Sequence, residues 1–258
     1  MNTAPLRLAV VAPNGRMGAA VCDLAAADRA FEVVARVIPP GESGGVLLTA
    51  VDGKQVDVMI DFSHREAIAS HASWCAANRV ALVLGTTGAD ADDQAAVAAA
   101  AQRIVVFEAS NFSIGVALLA DLAGRAARVL GVQADVEIVE SHHHHKRDAP
   151  SGTALTLGRA VAQARGQVLE EVIAHGRQGL TGERPQGEIG MHALRLGDVV
   201  GRHAVHFGWP LEGLVLSHEA LDRRVFAAGA LRAAAFAAGR LAAGEVGRVG
   251  MVELVGGD

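Results

Sequence analysis

Short apolar runs alternate with longer stretches of helical spacing through the first part of the chain. Residues 6–11 form an apolar run closed by Pro13-Asn14-Gly15, and residues 17–27 then carry apolar side chains at helical intervals. Residues 31–38 are a second strand, stopped by Pro39-Pro40-Gly41. Residues 56–62 and 81–84 are two more, separated by the alanine-rich stretch 66–77. Residues 91–101 read as a helix and 104–107 as a fifth strand. The strands are apolar throughout instead of alternating, the pattern of a parallel sheet covered by helices on both faces.

Beyond residue 112 the pattern changes. A helix over 114–130 leads to an alternating segment at 135–140, a polar histidine-rich loop, and a helix over 151–164. Extended runs follow at 169–175, 188–196, 199–207 and 213–218, with 176–187 read as a mobile loop rich in Gly, Thr, Arg, Pro and Gln. A last helical block, 225–243, precedes a short apolar tail at 249–255. The expected architecture is α/β: a Rossmann-like doubly wound parallel-sheet domain, plus an α+β substrate and oligomerisation domain with a mixed sheet.

Composition narrows the function. The 258 residues are 51% apolar with no tyrosine, which suits helices packed on a sheet better than a stacking surface for bases. Net charge is −5 and no basic block is long enough for a nucleic-acid footprint, so no nucleic-acid partner is expected. Residues 1–11 have neither a cationic start nor a long apolar stretch, so no secretion signal or membrane partner is expected. Cys22 and Cys75 both fall in helical stretches, which points to a reducing, cytoplasmic setting.

The richest chemistry lies at Glu140-Ser141-His142-His143-His144-His145-Lys146-Arg147-Asp148-Ala149-Pro150-Ser151-Gly152-Thr153-Ala154. Histidine trades protons near neutral pH, and the helix start after Pro150 offers backbone N–H groups to an anion. Ser151, Gly152 and Thr153 are therefore candidate contacts for a substrate carboxylate, and Lys146 adds charge and a proton. A metal site competes with this reading, because imidazole binds zinc or nickel. Consecutive histidines diverge, however, and both cysteines are remote in sequence, so no metal is assigned. His144 and His145 are read as loop residues, and His175, His192, His203, His206 and His218 as mostly structural residues on strands or their edges. Arg223-Arg224 is read as solvated charge, and Thr181-Gly182 as part of a loop closing the site or a subunit interface.

Several strand ends point to a nucleotide. Ala12-Pro13-Asn14-Gly15-Arg16-Met17-Gly18 runs from the first strand straight into a helix, where a pyrophosphate meets a helix N-terminus. Alone, this loop is no better than an ordinary strand–turn–helix junction. Asp61-Phe62-Ser63, Gly85-Thr86-Thr87-Gly88 and Ala109-Ser110-Asn111-Phe112-Ser113 follow later strands, and such loops line one crevice in a doubly wound sheet. The second strand closes on Arg36-Val37-Ile38 with no acid for a ribose, leaving NADH and NADPH both open.

These motifs, together with Thr181-Gly182-Glu183-Arg184 and Phe226-Ala227-Ala228-Gly229-Ala230, resemble the 4-hydroxy-tetrahydrodipicolinate reductase family over nearly the whole chain. The resemblance implies a homotetrameric enzyme of bacterial lysine and diaminopimelate synthesis, reducing a cyclic dicarboxylate with NADH or NADPH. It implies His142 as proton donor or acceptor and Lys146 as a second donor, with His143, Gly152 and Thr153 at the substrate. It implies cofactor contacts at Ala12, Asn14, Gly15, Arg16 and Met17, at Gly85, Thr86 and Thr87, and at Ala109, Ser110, Asn111 and Phe112. It also implies a discontinuous cofactor domain, 1–112 with 223–258, around a substrate-binding and tetramerisation domain, 113–222. The chain departs from the family in its Ala12-Pro13-Asn14 turn, which replaces a more glycine-rich one, and in residues 38–53, shorter and without the usual acid. A dehydrogenase acting on another imino or amino dicarboxylate, and a non-catalytic histidine-rich metal-binding protein, are the alternatives.

Overall fold

The computed structural model describes residues 4–256; residues 1–3 and 257–258, which the sequence reading puts in the first domain, lie outside the described residues. The strands are β1 (Leu6–Val11), β2 (Phe31–Val37), β3 (Val58–Asp61), β4 (Ala81–Leu84), β5 (Val105–Glu108), β6 (Asp135–His142), β7 (Ile173–His175), β8 (Ile189–Arg195), β9 (Gly201–Trp209), β10 (Glu212–Ala220) and β11 (Gly247–Val249). The helices are α1 (Arg16–Ala27), α2 (Ile68–Asn78), α3 (Ala91–Ala101), α4 (Ile114–Leu130), α5 (Gly152–Ala164), α6 (Leu169–Val172), α7 (Arg224–Ala242) and α8 (Met251–Leu254). The chain divides into two compact units. One comprises the described residues up to Ser113 and from Arg224 onward, and the other Ile114–Arg223.

The first unit is built on an all-parallel six-stranded sheet, order β11-β5-β4-β3-β1-β2. Alternate residues feed two separate cores. Leu8, Val10, Val58, Ile60, Val83 and Phe107 pack with α1 and α7, whereas Ala9, Val11, Met59, Leu82 and Val106 pack with α2 and α3. Both faces are covered, which is why residues 8–11, 58–60, 81–84 and 105–107 are apolar without a break, with Arg7, Asp61 and Glu108 at or next to the strand ends. By length and composition α7 could cross a membrane. Here its Ala227, Ala230, Ala233, Ala234 and Ala237 are fully buried in that first core, and the helix packs on β3, β4 and β5.

The second unit has a mixed sheet, order β10-β9-β6-β8-β7, with β6 parallel to β8 and antiparallel to β9. Val136, Ile138, Val205 and Phe207 meet Leu119, Ala123, Leu157 and Val161 of α4 and α5 on one face. Intervening residues such as Glu137, Val139, Ala204 and Val215 point to the other.

Three local expectations change. Residues 169–172 form a helical turn, and only 173–175 of that run are extended. Glu170 and Glu171 favour helix, and the turn seats buried Leu169 against Gly158 of α5. The histidine stretch is not all loop, because β6 keeps its ladder with β8 as far as His142↔Arg195. The tail at 249–255 resolves into a strand end and a short helix, with β11 completing the parallel sheet beside β5. The loop over 176–187 has no regular structure. Arg177 and Arg184 tie it to Glu137 and Glu188, while Leu180 at its tip is fully exposed.

Candidate active site

In the second unit, β6 delivers Glu140 and His142 to the same face, because residues two apart on a strand share a side. Glu140 is fully buried and His142 nearly so. The Glu140 carboxylate accepts from the His142 Nδ1–H through Oε2, and from Ser151 N–H (3.3 Å) and Arg195 Nη1 (3.1 Å) through Oε1. Arg195 also donates to the carbonyls of Lys146 (3.3 Å) and Asp148 (2.6 Å), so one guanidinium pins the loop after β6 to the carboxylate. Lys146 Nζ sits 2.9 Å from both oxygens of Asp148.

Ser151 caps α5. Its Oγ accepts from Ala154 N–H at 3.2 Å and lies 3.2 Å from His203 Nε2. With 2% exposure and its N–H on Glu140, Ser151 is engaged within the protein. Gly152, next along, is exposed, and a Cβ there would meet nothing within 4 Å, so the first turn of α5 is open to an approaching anion. His143 accepts from Arg223 Nη2 at 3.0 Å through Nε2, which leaves its proton on Nδ1, a buried atom with no partner. His144 donates from Nδ1 to the Gly197 carbonyl at 3.0 Å, and its ring lies 3.8 Å from that of His145.

Burial lowers the His142 imidazole below its usual range, outweighing the upward pull of Glu140; Lys146 and Arg195 push the same way as burial. Burial likewise takes His203 down to about 3. A neutral His142 with its hydrogen on Nδ1 presents Nε2 as a proton acceptor. Glu140, His142 and His203 bring ligand atoms within 4.8 Å of one another, the spacing of a metal centre. The carboxylate is already committed to three donors, however, and Arg195 and Lys146 oppose a dication there. Their charge suits an anion.

In the first unit, the parallel sheet brings the carboxyl ends of β1, β3, β4 and β5 to one edge. Ala12 is left-handed (φ 52°) at the end of β1, and Gly15 N-caps α1 with no side-chain cap and no acid in its first turn. A Cβ on Gly18 would lie 2.1 Å from the Ala12 carbonyl oxygen, so only glycine permits this tight turn. Arg16 is exposed and Met17 half-buried at the start of α1. Asn14 donates to Glu42 Oε2 and the Ser43 carbonyl, both at 3.1 Å. After β4, Gly85 lies where a Cβ would strike the Phe62 ring at 2.1 Å, Thr86 is half-buried, and Thr87 is exposed. After β5, Ala109 and Asn111 are half-buried, Ser110 is exposed, and the Phe112 ring is buried against Phe107 and Phe62. Uncapped N–H groups at α1, close backbone approach and convergent loops fit a dinucleotide.

The sequence reading singled out neither Arg195 nor the pairing of His203 with Ser151, whose partners lie 55 and 52 residues away along the chain. Arg223 is no solvated charge but a partner of His143. Glu42 brings an acid to the first turn from the loop after β2, where the strand itself ends without one.

Comparison with known proteins gives the family. Sequence models described as dihydrodipicolinate reductase, N-terminus, and dihydrodipicolinate reductase, C-terminus, match residues 6–112 and 115–254. The 4-hydroxy-tetrahydrodipicolinate reductase of Acidiphilium cryptum is 44% identical over 257 residues, 99% of this chain and 100% of its own. That of Anaeromyxobacter sp. is 44% identical over 91% of this chain and 93% of its own. Among solved structures, the dipicolinate-bound dihydrodipicolinate reductase from Paenisporosarcina sp. TG-14 shares the fold with a TM-score of 0.77. It is 24% identical, covering 96% of this chain and 98% of that one. Both units fall under one description, and the chain belongs to the dihydrodipicolinate reductase family.

Proposed function

We infer that the chain is a nicotinamide-dependent 4-hydroxy-tetrahydrodipicolinate reductase acting in lysine and diaminopimelate biosynthesis. The reaction adds a hydride and a proton to the cyclic dicarboxylate and releases its hydroxyl as water. The bound nicotinamide supplies the hydride. The chain's own residues grip the substrate, hold its charge and manage the proton.

The amides of Gly152 and Thr153, at the open end of α5, take one substrate carboxylate, and the partial positive charge of the helix start favours it. His143, held through Nε2 by Arg223, is a further substrate contact. Ser151 serves as the cap that fixes this turn. Lys146 is the proton donor, and His142, neutral and tied to Glu140, accepts and returns the proton through Nε2. The observation that carries this reading is the space at Gly152 in the first turn of α5, with Ser151 N–H already taken by Glu140. Lys146→Gln is expected to lower kcat by about 10²–10⁴-fold with little change in substrate affinity. His142→Gln lowers it less. The reverse order, measured by steady-state kinetics in an assay coupled to dipicolinate synthase, would make His142 the acid.

The turn of Ala12, Asn14, Gly15, Arg16 and Met17 holds the pyrophosphate, with Gly85, Thr86, Thr87, Ala109, Ser110, Asn111 and the main chain at Phe112 along the rest of the crevice. Arg36 at the end of β2 and Glu42 beside Asn14 offer a partner to a 2′-phosphate and to a ribose hydroxyl respectively, so both NADH and NADPH are accepted. Following oxidation of each cofactor separately tests this. The face of the five-stranded sheet away from α4 and α5, with Val139, Ala204 and Val215, supports assembly into a homotetramer, to be checked by light scattering. Two free buried thiols suit a cytoplasmic enzyme.

A further inference from the structure

A second buried carboxylate–imidazole pair lies in the first unit. Asp61, the last residue of β3, is fully buried, and His71, on α2, is 7% exposed. Asp61 Oδ2 lies 2.6 Å from His71 Nδ1. Oδ1 lies 2.9 Å from Ser63 N, 2.6 Å from Ser63 Oγ and 3.0 Å from Thr86 Oγ1. Ser63 N–H is shared with Thr86 Oγ1 at 2.9 Å. Burial pushes the Asp61 carboxyl up, but the bonds from His71 and Ser63 outweigh it and bring it below its usual value. Asp61 is therefore ionised and accepts only, so His71 Nδ1 and the Thr86 hydroxyl must both donate to it.

This fixes the Thr86 hydroxyl. It donates to Asp61 and accepts from Ser63, which locks the loop after β3 to the loop after β4. The contact of Gly85 with Phe62 allows that approach. The loop partners all bond Oδ1, whereas His71 reaches Oδ2 from α2, outside these loops. Without it, a fully buried charge loses a donor on one oxygen, and the carboxylate turns or takes up a proton. Either response loosens its hold on Thr86.

We propose that His71 is a positioning residue for the nicotinamide dinucleotide, acting through Asp61 to set the Ser63 and Thr86 loops in the geometry that binds it. The proposal rests on the cofactor reading of the Gly85–Thr87 loop given above. It assigns a role in binding to a buried histidine through its bond to Asp61.

The test measures cofactor Kd by calorimetry and steady-state constants for wild type, His71→Phe, His71→Asn and His71→Gln. Asparagine carries an N–H close to where Nδ1 stands, whereas glutamine displaces it by one methylene and phenylalanine removes it. His71→Phe is expected to raise cofactor Kd and KM about tenfold, with kcat and substrate KM within about twofold of wild type. His71→Asn restores cofactor binding and His71→Gln does not, a contrast that holds even if His71→Phe fails to fold. Asn and Gln variants that both bind cofactor like wild type overturn the proposal, as does a loss of thermal stability in all three with unchanged Kd. If wild type itself binds neither NADH nor NADPH, the cofactor reading fails first.

Discussion

Each unit buries one carboxylate against one imidazole, and the two pairs differ in what surrounds them. Asp61 with His71 is enclosed by hydroxyl and amide donors, whereas Glu140 with His142 faces Arg195 and lies near Lys146. Neutral donors satisfy a charge without moving protons, so the first pair holds loops in place. Burial depresses the His142 imidazole, Lys146 and Arg195 push the same way and draw anions, and that combination suits a site where protons move. On the reading proposed above, the same two functional groups are scaffold in one unit and chemistry in the other, and the charge of the neighbours separates them.

The largest test of that contrast removes the carboxylates. Glu140→Ala leaves Arg195 buried in part and unpaired, and strips His142 and Ser151 N–H of their acceptor. Unfolding free energy is expected to fall by about 3–5 kcal/mol, the loss typical of breaking a buried pair. Turnover in the folded fraction falls at least about 100-fold. Asp61→Ala carries a similar stability cost but shows its kinetic effect in cofactor KM. Denaturant titration and steady-state kinetics on both variants decide the matter, and a kcat defect in Asp61→Ala matching that of Glu140→Ala would erase the distinction.

A smaller effect comes from pH. The folded His203 imidazole, held near 3 by burial, stays neutral where the unfolded chain, at the ordinary 6.5, takes up a proton. Its folded value is the lower one, so the unfolded state binds more protons below pH 6.5 and stability falls as pH drops from there toward 3. Between pH 6.5 and 5 this amounts to about 2 kcal/mol. His142 shifts in the same direction. Denaturation of His203→Gln at the two pH values should show that slope reduced. An unchanged slope would mean that His203 is protonated in the fold and that the site carries more charge than described.

How much of this was written in the sequence follows from the range of each interaction. The central strands of the first unit were legible because Leu8 and Val10 serve one core and Ala9 and Val11 the other, which keeps runs such as residues 8–11 and 81–84 unbroken by a polar side chain. The second site was legible as far as Glu140, His142, Lys146 and Gly152, which lie within one short stretch. Arg195, His203 and Arg223 come from strands and turns far along the chain, and only the β6–β8–β9 register brings the first two beside Glu140 and Ser151. His71 sat unnoticed in an alanine-rich helix, since nothing local marks a histidine that will meet the end of a strand. Three-residue β11 was too short to announce itself.

The smallest prediction concerns the backbone character of the first site. Ala12 holds φ at 52°, a region where a Cβ crowds the following carbonyl. Glycine would relieve about 1–2 kcal/mol of that strain, while the added freedom of the unfolded chain returns about 0.4–1 kcal/mol. Ala12→Gly should therefore raise unfolding free energy by about 0.5–1 kcal/mol, a gain of a few degrees in Tm at most. On the reading proposed above this turn holds the cofactor and takes no part in proton transfer, so kcat at saturating cofactor should stay at the wild-type value, and any kinetic change should appear in cofactor KM. Calorimetric Tm together with the two constants checks both halves. A loss of stability would mean that Ala12 is held by contacts worth more than its strain, and that this turn is fixed by side-chain packing as much as by its backbone.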